Sequence, residues 1–247
     1  MMDQGTSLQA WAVARSIFKG CTALARARRS QKIPSIEPHN CEVKCLSFGP
    51  REDVVFSEEN ILNLGGTREG TFSVIQSLFN RENKSERPYV LMPNPFYQIY
   101  GGATLLAGGV SKHINLIDTK NFSLDLDSIK SDIWRKCQIL VLCSPSNPTG
   151  SVMSESEILK VIKLSRKYGF YIVSDECYVD IYRQNPPKSL IEISFKKYGN
   201  FKNILSLHSL SKRSNLPGFR SGMICGDKNL IKNFKKYRSF HGVSIPI

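Results

Sequence analysis

The feature that most constrains the fold is an alternation, after about residue 60, of extended apolar runs with segments of helical periodicity. Near-continuous apolar runs of strand length suit strands that are buried on both faces. Helical segments between such strands are typical of a mostly parallel sheet covered by helices. We therefore predict an α/β fold. The predicted strands are Tyr89–Met92, Gln138–Cys143, Phe170–Asp175, Asn203–Ser209 and Arg220–Cys225, and the predicted helices are Thr67–Phe79 and Glu155–Tyr168.

Length and composition favour one main globular domain. The chain has 247 residues, 41% of them apolar, which is enough to bury one substantial core. No apolar run is long enough to cross a bilayer, so we expect no membrane span. The seven cysteines form no CxxC pairs and no secretory signal is evident, which predicts a reducing, cytoplasmic location. His39, Cys41 and Cys45 do not have the spacing of a zinc module, and no metal is predicted.

The net charge of +13 raises the question of nucleic-acid binding. The basic residues are spread along the chain, and the densest run, Lys228–Arg238, has Leu230, Ile231 and Phe234 at helical spacing. This pattern predicts an amphipathic helix with a solvated basic face. We predict no nucleic-acid partner, and a positive field would instead favour an anionic cofactor or substrate.

The N-terminal residues have a different composition from the rest. No acidic residue occurs from Gln4 to Ile36, while six Lys and Arg residues lie among apolar ones. The segment could be an organellar transit peptide, a basic amphipathic helix, or a poorly ordered terminus unrelated to the fold. We therefore predict an atypical segment, partly disordered or helical, at residues 1–60 and the main domain at residues 61–247.

Three motifs with possible binding chemistry follow predicted strands or open a predicted helix. At Gly65-Gly66-Thr67-Arg68, free backbone N–H groups and the Thr67 hydroxyl could cradle a phosphate, or the motif is a tight turn with a Thr cap. The segment Pro93–Tyr100 includes Tyr97 and other aromatic rings that could face a planar ligand or fill the core. In Ser144–Gly150, prolines and a glycine fix a loop in which Asn147 offers an amide donor, or the loop is an ordinary turn.

Two further motifs contain charged residues after strand ends. Asp175, in Ser174–Tyr178, is costly to desolvate unless a cation meets it, although a cap or a structural ion pair would also explain it. In Ser209–Arg220, Lys212 could bind phosphate or act as an amine nucleophile, or it is a solvated surface charge. Ligands of open parallel sheets bind where these motifs lie, beyond the strand ends.

Taken in order, GGT, PFY, SPSNPTG, SDECY and SLSKRSNLPGFR resemble the class I/II aminotransferases of fold type I, which depend on pyridoxal 5'-phosphate (PLP). The resemblance covers about Asn63 to Asp227. Within the class, NPFYQIYGGA, SPSNPTG and SDECYVDIY look most similar to succinyldiaminopimelate aminotransferases of lysine synthesis. The resemblance implies that the PLP-binding part of the chain is a fold-type-I large domain. Such a domain has a mixed, mostly parallel sheet flanked by helices.

The resemblance also implies roles for individual residues. Lys212 would hold the cofactor as a Schiff base and then move the proton between Cα and C4′, and Asp175 would pair with the pyridinium nitrogen. Asn147 and Tyr178 would hydrogen-bond the phenolate oxygen, and Tyr97 would stack on the ring. The residues implied to hold the phosphate are Gly66, Thr67, Ser209 and Arg220.

The implied activity is transfer of an amino group between glutamate and a keto acid, with N-succinyl-2-amino-6-ketopimelate as the expected acceptor and a homodimer as the expected assembly. The family's C-terminal small domain, which supplies the arginine for the substrate α-carboxylate, has no counterpart after Arg220, so the chain is expected to be an incomplete enzyme. Two alternatives stay open: an aminotransferase for another amino acid, of aspartate or aromatic type, and a non-catalytic remnant.

Overall fold

The computed structural model describes residues 43–45 and 54–241. The chain divides into two compact units, residues 1–58 with Ile247 and residues 59–246. In the described part of the first unit, β1 (Val43–Cys45) pairs antiparallel with β2 (Val54–Phe56). The predictions for the N-terminal basic segment, and the residues His39 and Cys41 that were considered and rejected as metal ligands, fall outside the described residues.

The second unit is built on one eight-stranded sheet with helices between its strands. The strands are β3 (Ile61–Leu64), β4 (Tyr89–Asn94), β5 (Val110–Ile117), β6 (Ser123–Leu124), β7 (Cys137–Cys143), β8 (Tyr171–Asp175), β9 (Ile204–Ser209) and β10 (Gly222–Gly226). The helices are α1 (Thr67–Leu78), α2 (Ile99–Ala107), α3 (Ser131–Arg135), α4 (Glu155–Tyr168), α5 (Leu190–Tyr198), α6 (Leu210–Arg213) and α7 (Lys228–Arg238). The strand order is β3-β10-β9-β8-β7-β4-β5-β6.

Strand direction decides which loops meet. The five central strands β9, β8, β7, β4 and β5 are parallel, so their carboxyl ends share one edge of the sheet. β10 is antiparallel to both β9 and β3, which makes β3 run in the same direction as β9. The start of α1, the turns after the central strands and the segment entering β10 therefore all lie at this edge.

The predicted α/β architecture is confirmed, including the mixed sheet. All seven residues of β7, CQILVLC, are buried, as expected for a central strand covered on both faces. Each predicted strand is present, with ends that differ by one or two residues. The sequence did not predict the direction of β10 or the remaining strands, which are β1, β2, β3, β5 and β6.

Helix α4 matches its predicted range. Ser154 and Glu157 form a reciprocal capping box at its start, and Gly169 ends it in the left-handed conformation with φ of 74°. The predicted stripe of Ile158, Val161, Ile162 and Ser165 is the buried face. Periodicity and caps agree here, so the boundaries could be read from sequence alone.

Helix α7 matches its predicted range as well, and Leu230, Ile231 and Phe234 are buried as expected. The prediction of a fully solvated basic face was wrong at one position. Arg238 is buried and its guanidinium pairs with Glu69 of α1, so this charge joins two helices. Among the described residues, no helix is long and apolar enough to span a membrane.

Candidate active site

Most predicted site residues lie at the sheet edge where the parallel strands end. Asp175 is the last residue of β8, Ser209 is the last residue of β9, and Lys212 follows in α6. Gly66 is the N-cap of α1, and Arg220 precedes β10. Residues more than a hundred positions apart in sequence are thus brought together by the strand order.

Asp175 is a buried carboxylate, 3% exposed. Its Oδ2 accepts a hydrogen bond from the Tyr100 hydroxyl at 3.1 Å, and its Oδ1 accepts the Cys177 backbone N–H at 3.3 Å. Burial raises the pKa of Asp175 above its ordinary value, and hydrogen bonds from the Cys177 thiol, the Tyr100 hydroxyl and the Cys177 backbone N–H partly offset that effect. Its hydrogen-bond partners within residues 54–241 are uncharged, so a cationic ligand atom would complete the site chemically.

Tyr97 contacts both Arg68 and Tyr100. The Arg68 Nε donates to the Tyr97 hydroxyl at 2.5 Å, and the guanidinium carbon lies 5.6 Å from the ring centroid. The Tyr97 and Tyr100 rings meet edge to face at 5.8 Å between centroids. The aromatic run was predicted to act only through its rings, and neither the contact of the Tyr100 hydroxyl nor that of Arg68 was predicted.

Gly66 and Arg220 form a close pair. Gly66 has φ of 99°, a conformation that disfavours any other residue, and a methyl group there would come within 2.5 Å of Arg220 Nη2. The same Nη2 donates to the Gly65 carbonyl at 3.1 Å, and Nη1 donates to the Pro217 carbonyl at 2.8 Å. Arg220 itself has φ of 46°. These contacts hold a guanidinium beside the amino end of α1, where the helix dipole favours anions.

Lys212 lies in a single helical turn that begins directly after β9. The Ser209 hydroxyl accepts the Ser211 backbone N–H at 3.1 Å and caps this turn. Arg213, beside Lys212, pairs with Asp180 at 3.3 Å and ties the turn to the segment after β8. The Lys212 side chain is exposed.

The thiols near Asp175 stay protonated. Burial is the largest influence on the pKa of Cys143, raising it to about 12, and it also raises the pKa of Cys177, with the Asp175 carboxylate adding to both effects. The Lys212 ammonium, by contrast, lowers the pKa of Cys177. Lys212 is therefore near enough to act electrostatically on a residue that adjoins Asp175. Burial also raises the pKa of Tyr178, to which Asp175 and Tyr97 contribute.

Asn147 and Thr67 are two further predicted residues at the same edge. Asn147 lies in the turn after β7, where its backbone N–H faces the Cys143 thiol. Thr67 is the first residue of α1. Within the described part of the chain, no hydrogen bond joins the Asn147 amide or the Thr67 hydroxyl to the other predicted site residues.

Comparison with known proteins gives the family. The sequence model for "Aminotransferase class I and II" matches residues 39–246. The chain belongs to the class I and II aminotransferases. This confirms the resemblance drawn from the five motifs, and PLP is the cofactor on which this family depends.

Individual relatives agree with this assignment. An LL-diaminopimelate aminotransferase of Aquifex aeolicus is 31% identical over 180 residues, 72% of this chain and 44% of the relative. An aminotransferase structure from Neisseria meningitidis has a TM-score of 0.71 and 41% identity, covering 75% of this chain and 47% of that one. A probable N-succinyldiaminopimelate aminotransferase from Thermus thermophilus has a TM-score of 0.68 and 26% identity, with coverage of 75% and 48%. The chain therefore spans about half the length of the relatives it matches.

The residues present fit PLP. A buried carboxylate with only uncharged protein partners suits a protonated ring nitrogen, and Asp175 is such a group. The Arg220 guanidinium lies so close to Gly66 that a side chain at Gly66 would displace it. A guanidinium at the start of a helix suits a phosphate. Lys212, on the neighbouring turn, would supply the amine.

Replacing Gly66 by alanine should damage the Arg220 end of the site. The backbone conformation of Gly66, which is essentially restricted to glycine, costs an L-residue about 1–3 kcal/mol, and the new methyl group must displace the Arg220 guanidinium. We expect PLP affinity, measured by titration, to fall about tenfold or more, since a hydrogen bond to a charged group contributes about 1.5–3 kcal/mol.

Gly102→Ala is the matched control, because Gly102 lies in α2 with nothing within 4 Å of the added carbon. PLP affinity should be unchanged in that variant. Equal affinities in Gly66→Ala and the wild type would contradict the assignment of this pair to the phosphate.

Proposed function

We propose that this chain is the cofactor-binding part of a PLP-dependent aminotransferase that moves an amino group between glutamate and a keto acid. The observation that carries the proposal is the arrangement, at one sheet edge, of the buried Asp175 carboxylate, the Lys212 turn and the Arg220 guanidinium over Gly66. These three groups match the ring nitrogen, the aldehyde and the phosphate of the cofactor.

Two residues would carry the chemistry. When bound, PLP supplies an electron sink for the negative charge that develops at the substrate α-carbon. Asp175 would hold the proton on the ring nitrogen, since a carboxylate stabilises a cation at close range. Lys212 would bind the aldehyde carbon and then move a proton at the substrate α-carbon, a step for which its amine must be unprotonated.

The other predicted residues would orient the cofactor. Arg220 offers a planar fork of donors to the phosphate, and the Thr67 and Ser209 hydroxyls would add to it. Asn147 and Tyr178 would hydrogen-bond the phenolate oxygen, and Tyr97 would pack on the ring face. The Arg68 contact supports the last role, because it fixes the position of the Tyr97 hydroxyl.

We propose N-succinyl-2-amino-6-ketopimelate as the keto acid. The motif likeness supports this choice, as does the Thermus thermophilus structure described as a probable N-succinyldiaminopimelate aminotransferase. The Aquifex aeolicus relative, named LL-diaminopimelate aminotransferase, favours LL-diaminopimelate as a second candidate amino donor. The succinylated keto acid carries several carboxylates and no free amino group, which suits a chain of net charge +13. A homodimer in the cytoplasm completes the proposal.

A single-turnover assay tests it. The purified chain is loaded with PLP and mixed with glutamate, and we expect close to one 2-oxoglutarate released per chain. The succinylated keto acid should then accept the amino group, whereas oxaloacetate and aromatic keto acids should be slower. PLP attachment at Lys212 without any 2-oxoglutarate release would overturn the activity and favour a non-catalytic remnant. If the amino group moved faster from LL-diaminopimelate than from the succinylated amino acid, LL-diaminopimelate would replace the succinylated compound as the proposed substrate.

A further inference from the structure

Tyr100 is the buried neighbour of the candidate active site to which neither the motifs nor the comparisons assign a role. It lies in the first turn of α2 and is 1% exposed. Its hydroxyl donates to Asp175 Oδ2 across 75 positions of sequence. A buried phenol needs a partner for its O–H, and here the partner is the carboxylate that faces the proposed ring nitrogen.

The contacts of Asp175 restrict its orientation from two sides. Oδ1 is held by the Cys177 N–H and Oδ2 by the Tyr100 hydroxyl, so rotation of the carboxyl group would break one of the two bonds. The Cys177 N–H belongs to the turn after β8, whereas Tyr100 comes from α2. Tyr100 is therefore the contact that links Asp175 to the helix preceded by Tyr97.

Tyr97 and Tyr100 are also in contact with each other. Their rings meet edge to face at 5.8 Å between centroids, and Tyr97 lies just before α2. An aromatic pair in this geometry holds both rings in place. The beginning of α2 thus supplies the ring proposed to cover the cofactor and the hydroxyl that holds its carboxylate partner.

We propose that Tyr100 is a positioning residue that keeps Asp175 oriented and ionised for the cofactor's ring nitrogen. This inference rests on the proposed function, because it gives Tyr100 a role only through Asp175. A hydrogen bond to the charged form of an acid favours that form. Without the phenol, the buried carboxyl group would hold its own proton more readily and would attract a ring cation less.

The electrostatic surroundings of Asp175 come from several elements. The titratable side chains around it are Tyr100 from α2, Cys143 from β7, Cys177 and Tyr178 after β8, and Lys212 from α6 beyond Cys177. Burial and the Asp175 carboxylate raise the pKa of Tyr100, so its hydroxyl stays a donor at neutral pH. Removing that donor should raise the pKa of Asp175 further.

The test uses Tyr100→Phe in the full chain, with pyridoxamine phosphate as the ligand. This probe has no aldehyde, so its affinity reports the ring and phosphate contacts without a bond to Lys212. We expect Tyr100→Phe to weaken binding about tenfold at neutral pH, the size expected for one hydrogen bond to a charged group. As the pH is lowered, binding should be lost at a higher pH in the variant than in the wild type.

A double-mutant cycle separates positioning from general damage. In an Asp175→Asn background, Tyr100→Phe should change affinity less than about twofold, because the group through which Tyr100 acts can no longer ionise. Tyr171→Phe makes the same change at the start of β8, away from Asp175, and should leave affinity and pH profile as in the wild type. Thermal melts of each variant verify folding.

The outcomes distinguish this inference from the function. Equal affinity in Tyr100→Phe and the wild type, an unshifted pH profile, or the same loss in the Asp175→Asn background would each overturn the positioning role alone. Failure of the wild-type chain to bind pyridoxamine phosphate would overturn it together with the proposed function.

Discussion

Lys212→Ala is expected to abolish covalent attachment of PLP. A lysine amine bonded to the cofactor aldehyde gives a visible absorbance band, and borohydride reduction fixes the bond so that peptide mass spectrometry locates it. We expect both signals to disappear in the variant. Amino transfer should fall by at least about 10²–10⁴-fold, the range for removal of a positioned proton-transfer group alone. Affinity for pyridoxamine phosphate should be reduced far less, because Asp175 and Arg220 remain.

Two further variants make this result specific. Lys212→Arg keeps the positive charge but has no amine that can form the bond, so it should lose the band as completely as the alanine variant. Lys202→Ala, at an exposed lysine just before β9, should retain the band and the mass shift. A band that survives in Lys212→Ala, or a mass shift on another lysine, would show that the sequence motif was assigned to the wrong residue.

Much of the fold could be predicted because local and tertiary signals agree. In α4, the capping box, the apolar stripe and the terminal glycine all give the same boundaries. The run CQILVLC has the length and continuous apolar character typical of a strand buried on both faces, and it is one. By contrast, β5 has the pattern VSKHINLI, in which Lys112, His113 and Asn115 interrupt the apolar run, and it was missed. The direction of β10 was missed for a different reason, since strand composition does not encode whether the neighbours run parallel or antiparallel.

The site was predictable to the extent that motifs mark it. Proximity of Gly66 to Arg220 depends on β10 entering the sheet beside β3, which no local pattern reveals, and the family resemblance supplied it. Tyr100 lay within a recognised motif, yet its hydroxyl contact with Asp175 is a product of tertiary structure. The burial of Arg238 was missed for the same reason, because it depends on the tertiary contact with Glu69 of α1.

Asp175→Asn is expected to weaken pyridoxamine phosphate binding strongly while stabilising the cofactor-free chain. Breaking a buried ion pair by removing one partner costs about 3–5 kcal/mol, which corresponds to an affinity loss of roughly a hundredfold or more. In the cofactor-free chain, the same carboxylate is buried against uncharged partners. Asparagine keeps an oxygen that can accept from Tyr100 without the cost of a buried charge, so the free energy of unfolding should rise by about 1–2 kcal/mol at neutral pH.

The pKa of Asp175 determines how the free energy of unfolding should change with pH. Burial raises the pKa of Asp175 in the folded chain above its unfolded value, so the folded chain binds more protons in the range between the two. The free energy of unfolding of the wild type should therefore fall as the pH rises through that range. Below the unfolded pKa, about 3.9 for aspartate, both states are protonated and the advantage of asparagine should vanish. Denaturant titrations at a series of pH values measure the difference.

Asp127→Asn is the matched control, since Asp127 is 86% exposed by side chain and pairs with Lys160 at the surface. Its effect on stability should stay within about 0.5 kcal/mol, and pyridoxamine phosphate affinity should not change. Parallel stability curves for Asp175→Asn and the wild type across pH would mean that the buried carboxylate carries no electrostatic cost. If affinity were also unchanged, Asp175 would not be the partner of the ring nitrogen, and the buried acid would be a structural group held by Tyr100 and the Cys177 N–H.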